Sequence, residues 1–183
     1  MAVALAASIR PRQLIVFTHS LSESELHATV NLHPGRVVVG AAAHIAVLAD
    51  TVGHGPQGIV VQVGGGVTAG FRSDTTAFDG AIDSILGRRS LALLGLHGDV
   101  QPGEDGFAGC LAAVADMVLE MSRIARHHEI VLTRLGLGGA CLVPTVGLPQ
   151  LIEQIDEAVG DACARLRFPR PRVDIAPGPA LVA

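Results

Sequence analysis

Residues 91–101 read LALLGLHGDVQ, an apolar run of strand length that ends in glycine, histidine and aspartate. Polar groups at such a position matter because α/β folds place their working residues beyond the C-terminal ends of strands. Outward from this stretch the chain alternates. The helical segment FAGCLAAVADMVLEMSRIARHH follows, then the strand EIVLTRLGLGG, the helical segment LPQLIEQIDEAVGDACARLR with Pro149 in its first turn, and the last strand RVDIAPG.

The same alternation runs upstream. QLIVFTHS precedes LSESELHATVNL, in which Leu21, Leu26 and Val30 share a helical face and Ser22 with Glu25 forms an S-x-x-E capping box. GRVVVGA precedes AHIAVLADTVG, and GIVVQVG precedes a glycine-rich turn and TAFDGAIDSIL. About six strands alternating with about five helices predict right-handed crossovers, a parallel sheet and a single domain over residues 1–183. Taken alone, this pattern suits an open doubly wound sheet, because an eight-stranded barrel needs roughly 250 residues.

Composition narrows the function classes. A net charge of -4 over 183 residues offers no general attraction to nucleic acid or anionic membranes. The N-terminal MAVALAASIR is too short for a spanning helix and lacks a signal peptide's basic start, so the expected location is cytoplasmic. Cys110, Cys141 and Cys163 are odd in number and have no C-x-x-C spacing, so they read as buried free thiols. All 13 basic residues are arginine. Without a lysine, no side chain can form a Schiff base.

The order of the strand-end motifs carries a resemblance. GLHGDVQ, LGLGGAC and DIAPGPALVA, with LIVFTHSLSESEL, RVVVGAAAHIAVLA and TTAFDGAIDSIL before them, resemble in order and spacing the barrel domain of the pyridoxal-phosphate-dependent diaminopimelate, ornithine and arginine decarboxylases. The corresponding motifs of that alanine-racemase-like group are GLHxHxGSQ, a triple glycine and EPGRALVA. The resemblance implies an α/β fold: a partial (β/α)8 pyridoxal-phosphate-binding barrel of about six parallel strands. The first two β/α units, with their Schiff-base lysine, and the C-terminal β-domain would be missing.

Several site positions depart from the family pattern. The ring-stacking histidine of HxGS is matched by Asp99, and the following Gly-Ser by Gln101 and Pro102, while His97 matches the earlier histidine. Gly138 and Gly139 match two of the three glycines that approach the phosphate, with Ala140 in place of the third. The glutamate that pairs with the pyridine nitrogen is matched by Ala176, and the arginine after Pro177 and Gly178 by Pro179. The resemblance therefore implies no catalytic residue here, no covalently held pyridoxal phosphate, and at most weak anion binding by backbone at Gly138, Gly139 and Gly178.

The leading expectation is a truncated, inactive relative of diaminopimelate decarboxylase, whose family reaction is amino-acid decarboxylation as in lysine biosynthesis. Exposed sheet edges would make it a homo-oligomer or seat it on a partner chain. The alternative is one chain of a split decarboxylase whose lysine comes from another polypeptide. Two weaker readings are a metal-dependent hydrolase using His97, Asp99 and His19, although no HxH or HExxH spacing is present, and a small-ligand module using Gly64 to Gly66.

Overall fold

The computed structural model describes residues 8–51, 53, 55–64, 70–99, 106–139 and 148–177. Six strands are present: β1 (Ile15–Phe17), β2 (Arg36–Val39), β3 (Gln57–Val63), β4 (Leu91–Asp99), β5 (Arg134–Gly139) and β6 (Arg172–Pro177). Between them lie α1 (Glu23–Val30), α2 (Ala42–Thr51), α3 (Thr76–Leu86), α4 (Gly106–His128) and α5 (Leu148–Leu166). A 3-10 turn, Pro11–Gln13, precedes β1.

Strand order follows chain order, β1-β2-β3-β4-β5-β6, and the pairs β1–β2, β2–β3, β4–β5 and β5–β6 are parallel. This order decides the architecture. A doubly wound sheet reverses its strand order at a switch point, whereas consecutive parallel strands joined by helices are the arrangement of a (β/α)8 barrel. The alternation that suited an open sheet is thus built in barrel order.

Two compact units divide the chain, one ending at Leu94 and the other beginning at Gly95, within β4. In the first unit the β-branched runs of β2 and β3 pair in register, Val37 opposite Ile59 and Val38 opposite Val60, and all four are buried. Helical spacing supplies the other side of the core: Phe78, Ala81, Ile82 and Ile85 on α3 are all buried, at i, i+3, i+4 and i+7. In the second unit α4 buries Val114, Met117, Val118, Met121 and Ile124, and α5 buries Leu151, Ile155, Val159, Ala162 and Cys163. Each buried aliphatic side chain contributes about 1.5–3 kcal/mol. An ion pair such as Arg72–Asp74, with both side chains about 70% exposed, contributes little beside that.

Local signals hold where they are local. The Ser22–Glu25 box caps α1: Glu25 N donates to Ser22 Oγ at 3.4 Å, and the Glu25 carboxylate accepts from Ser22 N at 2.8 Å and from its hydroxyl at 2.6 Å. Those two bonds, the hydroxyl first, hold the Glu25 carboxyl below its ordinary range. The β5 strand starts at Arg134, although the apolar run EIVLT reads as strand from Glu129. The reason is the end of α4: Glu129 takes a left-handed φ of 56° and Ile130 N donates to Ala125 O at 3.1 Å, so the chain there is still closing the helix. No described helix is long and apolar enough to cross a membrane.

Candidate functional site at the ends of β4 and β5

Side chains two residues apart on a strand share a face, so His97 and Asp99 project together at the end of β4. The register places His97 opposite Gly136 and Asp99 opposite Gly138. The alternate residues face α4: Leu96, Leu135 and Leu137 are fully buried, and a Cβ on Gly98 would lie 2.5 Å from Met117 Sδ. On the His97 face, β6 continues the rows with Asp174 opposite Gly136 and Ala176 opposite Gly138.

Two of the three β5 glycines make room for β4 side chains. A Cβ on Gly136 would come within 3.0 Å of His97 Nδ1, and one on Gly138 would lie 2.5 Å from Asp99 Oδ1 and 3.1 Å from His97 Nε2. The His97 ring is 4% exposed, the Asp99 carboxylate 32%, and the two are 3.4 Å apart. That distance is longer than a good hydrogen bond, so the two groups are in close polar contact. Lower on the same face Arg134 and Asp174 pair at 3.9 Å.

Gly139 has a positive φ of 100°, a conformation that glycine adopts without strain as β5 ends. The two glycines of the expected anion site are therefore explained by packing at Gly138 and by backbone conformation at Gly139. Gly178, with Ala140, Gln101, Pro102 and Pro179, lies outside the described residues, as do Gly65 and Gly66. The side-chain atom nearest a Cβ on Gly138 belongs to the Asp99 carboxylate, and a carboxylate repels phosphate. At Gly136 and Gly138 the space beside the backbone is taken by His97 and Asp99, which does not fit close approach of a pyridoxal phosphate to these two glycines.

In the first unit, sequence reading missed a hydroxyl–imidazole pair. Thr18, fully buried just beyond β1, shares a 2.8 Å hydrogen bond between its Oγ1 and His44 Nδ1 on the first turn of α2. Its partner is 26 residues away in sequence, so no spacing motif announces it. His19, chosen for metal binding, sets its ring edge-on to Phe17 at 6.0 Å. Among the described residues no three His, Cys, Asp or Glu side chains are grouped to hold a metal ion. Cys163 is a buried free thiol whose pKa is raised by burial, an effect that Arg170 partly opposes. The Cys110 and Cys141 side chains are outside the described set.

No family model matches the chain, and no curated protein matches it at a significant level. Solved structures do. Diaminopimelate decarboxylase from M. jannaschii matches with a TM-score of 0.79 at 10% identity, over 96% of this chain and 45% of that one. The fold is that of a decarboxylase barrel, in part. The arginine decarboxylase of Paramecium bursaria Chlorella virus matches at a TM-score of 0.73 and 10% identity, over 97% and 48% of the two chains. Lysine decarboxylase from Selenomonas ruminantium gives 0.71 and 20%, over 97% and 45%. The chain thus spans less than half the length of the structures it matches, and at these identities the likeness shows the fold alone.

Proposed function

We propose that this chain is a non-catalytic protein of the decarboxylase fold, which forms no covalent bond with pyridoxal phosphate and works in association with a second chain. The observation that carries this reading is the His97–Asp99 pair standing over Gly136 and Gly138, at the strand ends where the resemblance implies contacts to the cofactor. Two sequence facts support it. No lysine is present to form a Schiff base, and Ala176, in register with Gly138, stands where the resemblance implies a carboxylate for the ring nitrogen.

Residual anion binding at Gly138, Gly139 and Gly178 is through backbone N–H groups and weak, with the Asp99 carboxylate opposing it. Association is supported by the sheet edges: β1 and β6 end the strand order, and Ile15 on β1 is 38% exposed.

The covalent claim is tested by incubating the chain with pyridoxal phosphate, reducing with borohydride and mapping peptides. The expected adduct is confined to the α-amino group, and one on any internal side chain overturns the reading. Light scattering across a wide concentration range, alone and with candidate partners, tests association. A monodisperse monomer under every condition sinks that part.

A further inference from the structure

We propose that a cavity at the N-terminal ends of β2 and β3, in the first unit, is a binding site for a phosphate ester, recognised by Arg12 and His33. The inference is independent of the reading of the β4 and β5 ends. It concerns the opposite strand termini from those at which barrel enzymes keep their catalytic groups.

The cavity holds about 520 Å³, within the size range of small-molecule sites. Among the described residues Arg12, His33 and Gln57 line it with Pro34, Pro56 and three glycines, and none of these is a carboxylate. The permanent charge in this lining is the Arg12 guanidinium. The apolar part of the lining is two prolines, so the group that selects a ligand is the guanidinium, and it selects an anionic head group. Guanidinium presents a planar fork of donors that matches two phosphate oxygens, and imidazole adds a further N–H whether neutral or protonated.

The walls are fixed by bonds that need no ligand. Arg12 sits in the 3-10 turn, where Leu14 N and Gly35 N both donate to Pro11 O at 2.9 and 3.1 Å, and Arg36 N donates to Leu14 O at 3.2 Å. Gly35 permits this approach, since a Cβ there would meet Arg12 O well under 3.0 Å. His33 has a left-handed φ of 51° and is tied by its N–H to Val30 O at 2.8 Å, while buried Gln57 donates from Nε2 to Pro34 O at 3.0 Å. The backbones that carry Arg12 and His33 are thus set in advance, which lowers the entropic cost of binding. The Arg12 and His33 side chains, both exposed, have to order on that fixed backbone.

Phosphate esters occur free and as lipid head groups, and Ile9 and Leu32, close in sequence to Arg12 and His33, are each 39% exposed. The test therefore has two arms on the full chain. Glycerol 3-phosphate and inorganic phosphate are titrated with amide chemical shifts as readout, and sedimentation is measured with phosphatidylcholine vesicles with and without phosphatidic acid. The expected result is saturable shifts centred on Arg12, His33, Gly35 and Gly55, or sedimentation that requires phosphatidic acid, the first identifying a free ester and the second a head group.

Arg12→Gln should weaken the effective arm about ten-fold, as loss of a charge-assisted pair does, and Arg12→Lys by less, with unchanged melting temperatures in the absence of ligand. Shifts confined to Gly138 and Gly139, equal shifts with chloride, no response in either arm, or a response that Arg12→Gln leaves intact would each overturn the proposal.

Discussion

Glycine serves one purpose at Gly35, in the first unit, and another at Gly136 and Gly138, in the second. At Gly35 an added Cβ would strike Arg12 O and C and approach Leu14 O, all backbone, so the residue allows two chain segments to touch. At Gly136 and Gly138 the atoms in the way belong to the side chains of His97 and Asp99. Backbone held by a hydrogen-bonded turn has nowhere to go, whereas a side chain has other rotamers. Gly35 therefore fixes the path of the chain, and Gly136 and Gly138 the placement of polar side chains.

The largest effect expected from this difference is at Gly35. Gly35→Ala must displace the Pro11–Gln13 turn and should cost about 3 kcal/mol, a drop of roughly 6–12 °C in melting temperature by calorimetry. No single side-chain truncation should restore it. A variant that melts with the parent would mean that the turn yields freely and that the contrast between Gly35 and the β5 glycines is false.

A smaller and rescuable effect is expected at Gly136. Gly136→Ala pushes on His97 Nδ1 and should cost about 1–2 kcal/mol, but far less in a His97→Ala background, where the obstructing ring is gone. Denaturant unfolding of both single variants and the double variant measures the coupling. Additive costs would show that the His97 ring is not what Gly136 accommodates.

The smallest effect belongs to the α1 cap, which involves no glycine and sits on the surface of the first unit. Ser22→Ala should cost about 1 kcal/mol through the lost cap. Glu25 adds a pH dependence of defined sign. Its folded pKa is lowered by the Ser22 bonds, so its contribution is present above its ordinary value of 4.5 and is lost as pH falls through the lower folded value. Glu25→Gln should flatten the stability–pH curve in that acid window. An unchanged slope would remove the capping box from the account.

What could be read from sequence follows interaction range. The Ser22–Glu25 box spans three residues, and the i, i+3, i+4, i+7 spacing of α3 lies within one helix, so both appear in the structure where the pattern puts them. The start of β5 was misplaced by five residues, Glu129 against Arg134. Apolar β-branched residues mark what can be a strand, and only a partner marks where it begins: Arg134 is the residue that pairs with Gly95. The site was legible as a set of residue types but not as an arrangement. That Gly138 lies against Asp99 was not legible, because a glycine's neighbour across a sheet leaves no trace in its own stretch of chain.

By itself the sequence determined the alternation of strands and helices, their capping and apolar faces, and the absence of any lysine to carry a Schiff base, because each of these is a property of residue type or local spacing. The motif order further implied a partial barrel, and the strands do pair in chain order; only tertiary structure decided that His97 lies against Gly136 and Asp99 against Gly138, that Thr18 meets His44, and that Arg12 and His33 line one cavity. The physical reason is register. Helices of different length return the chain to the sheet, and how each strand slides against its neighbour is set by packing summed over the whole core, which no local segment records.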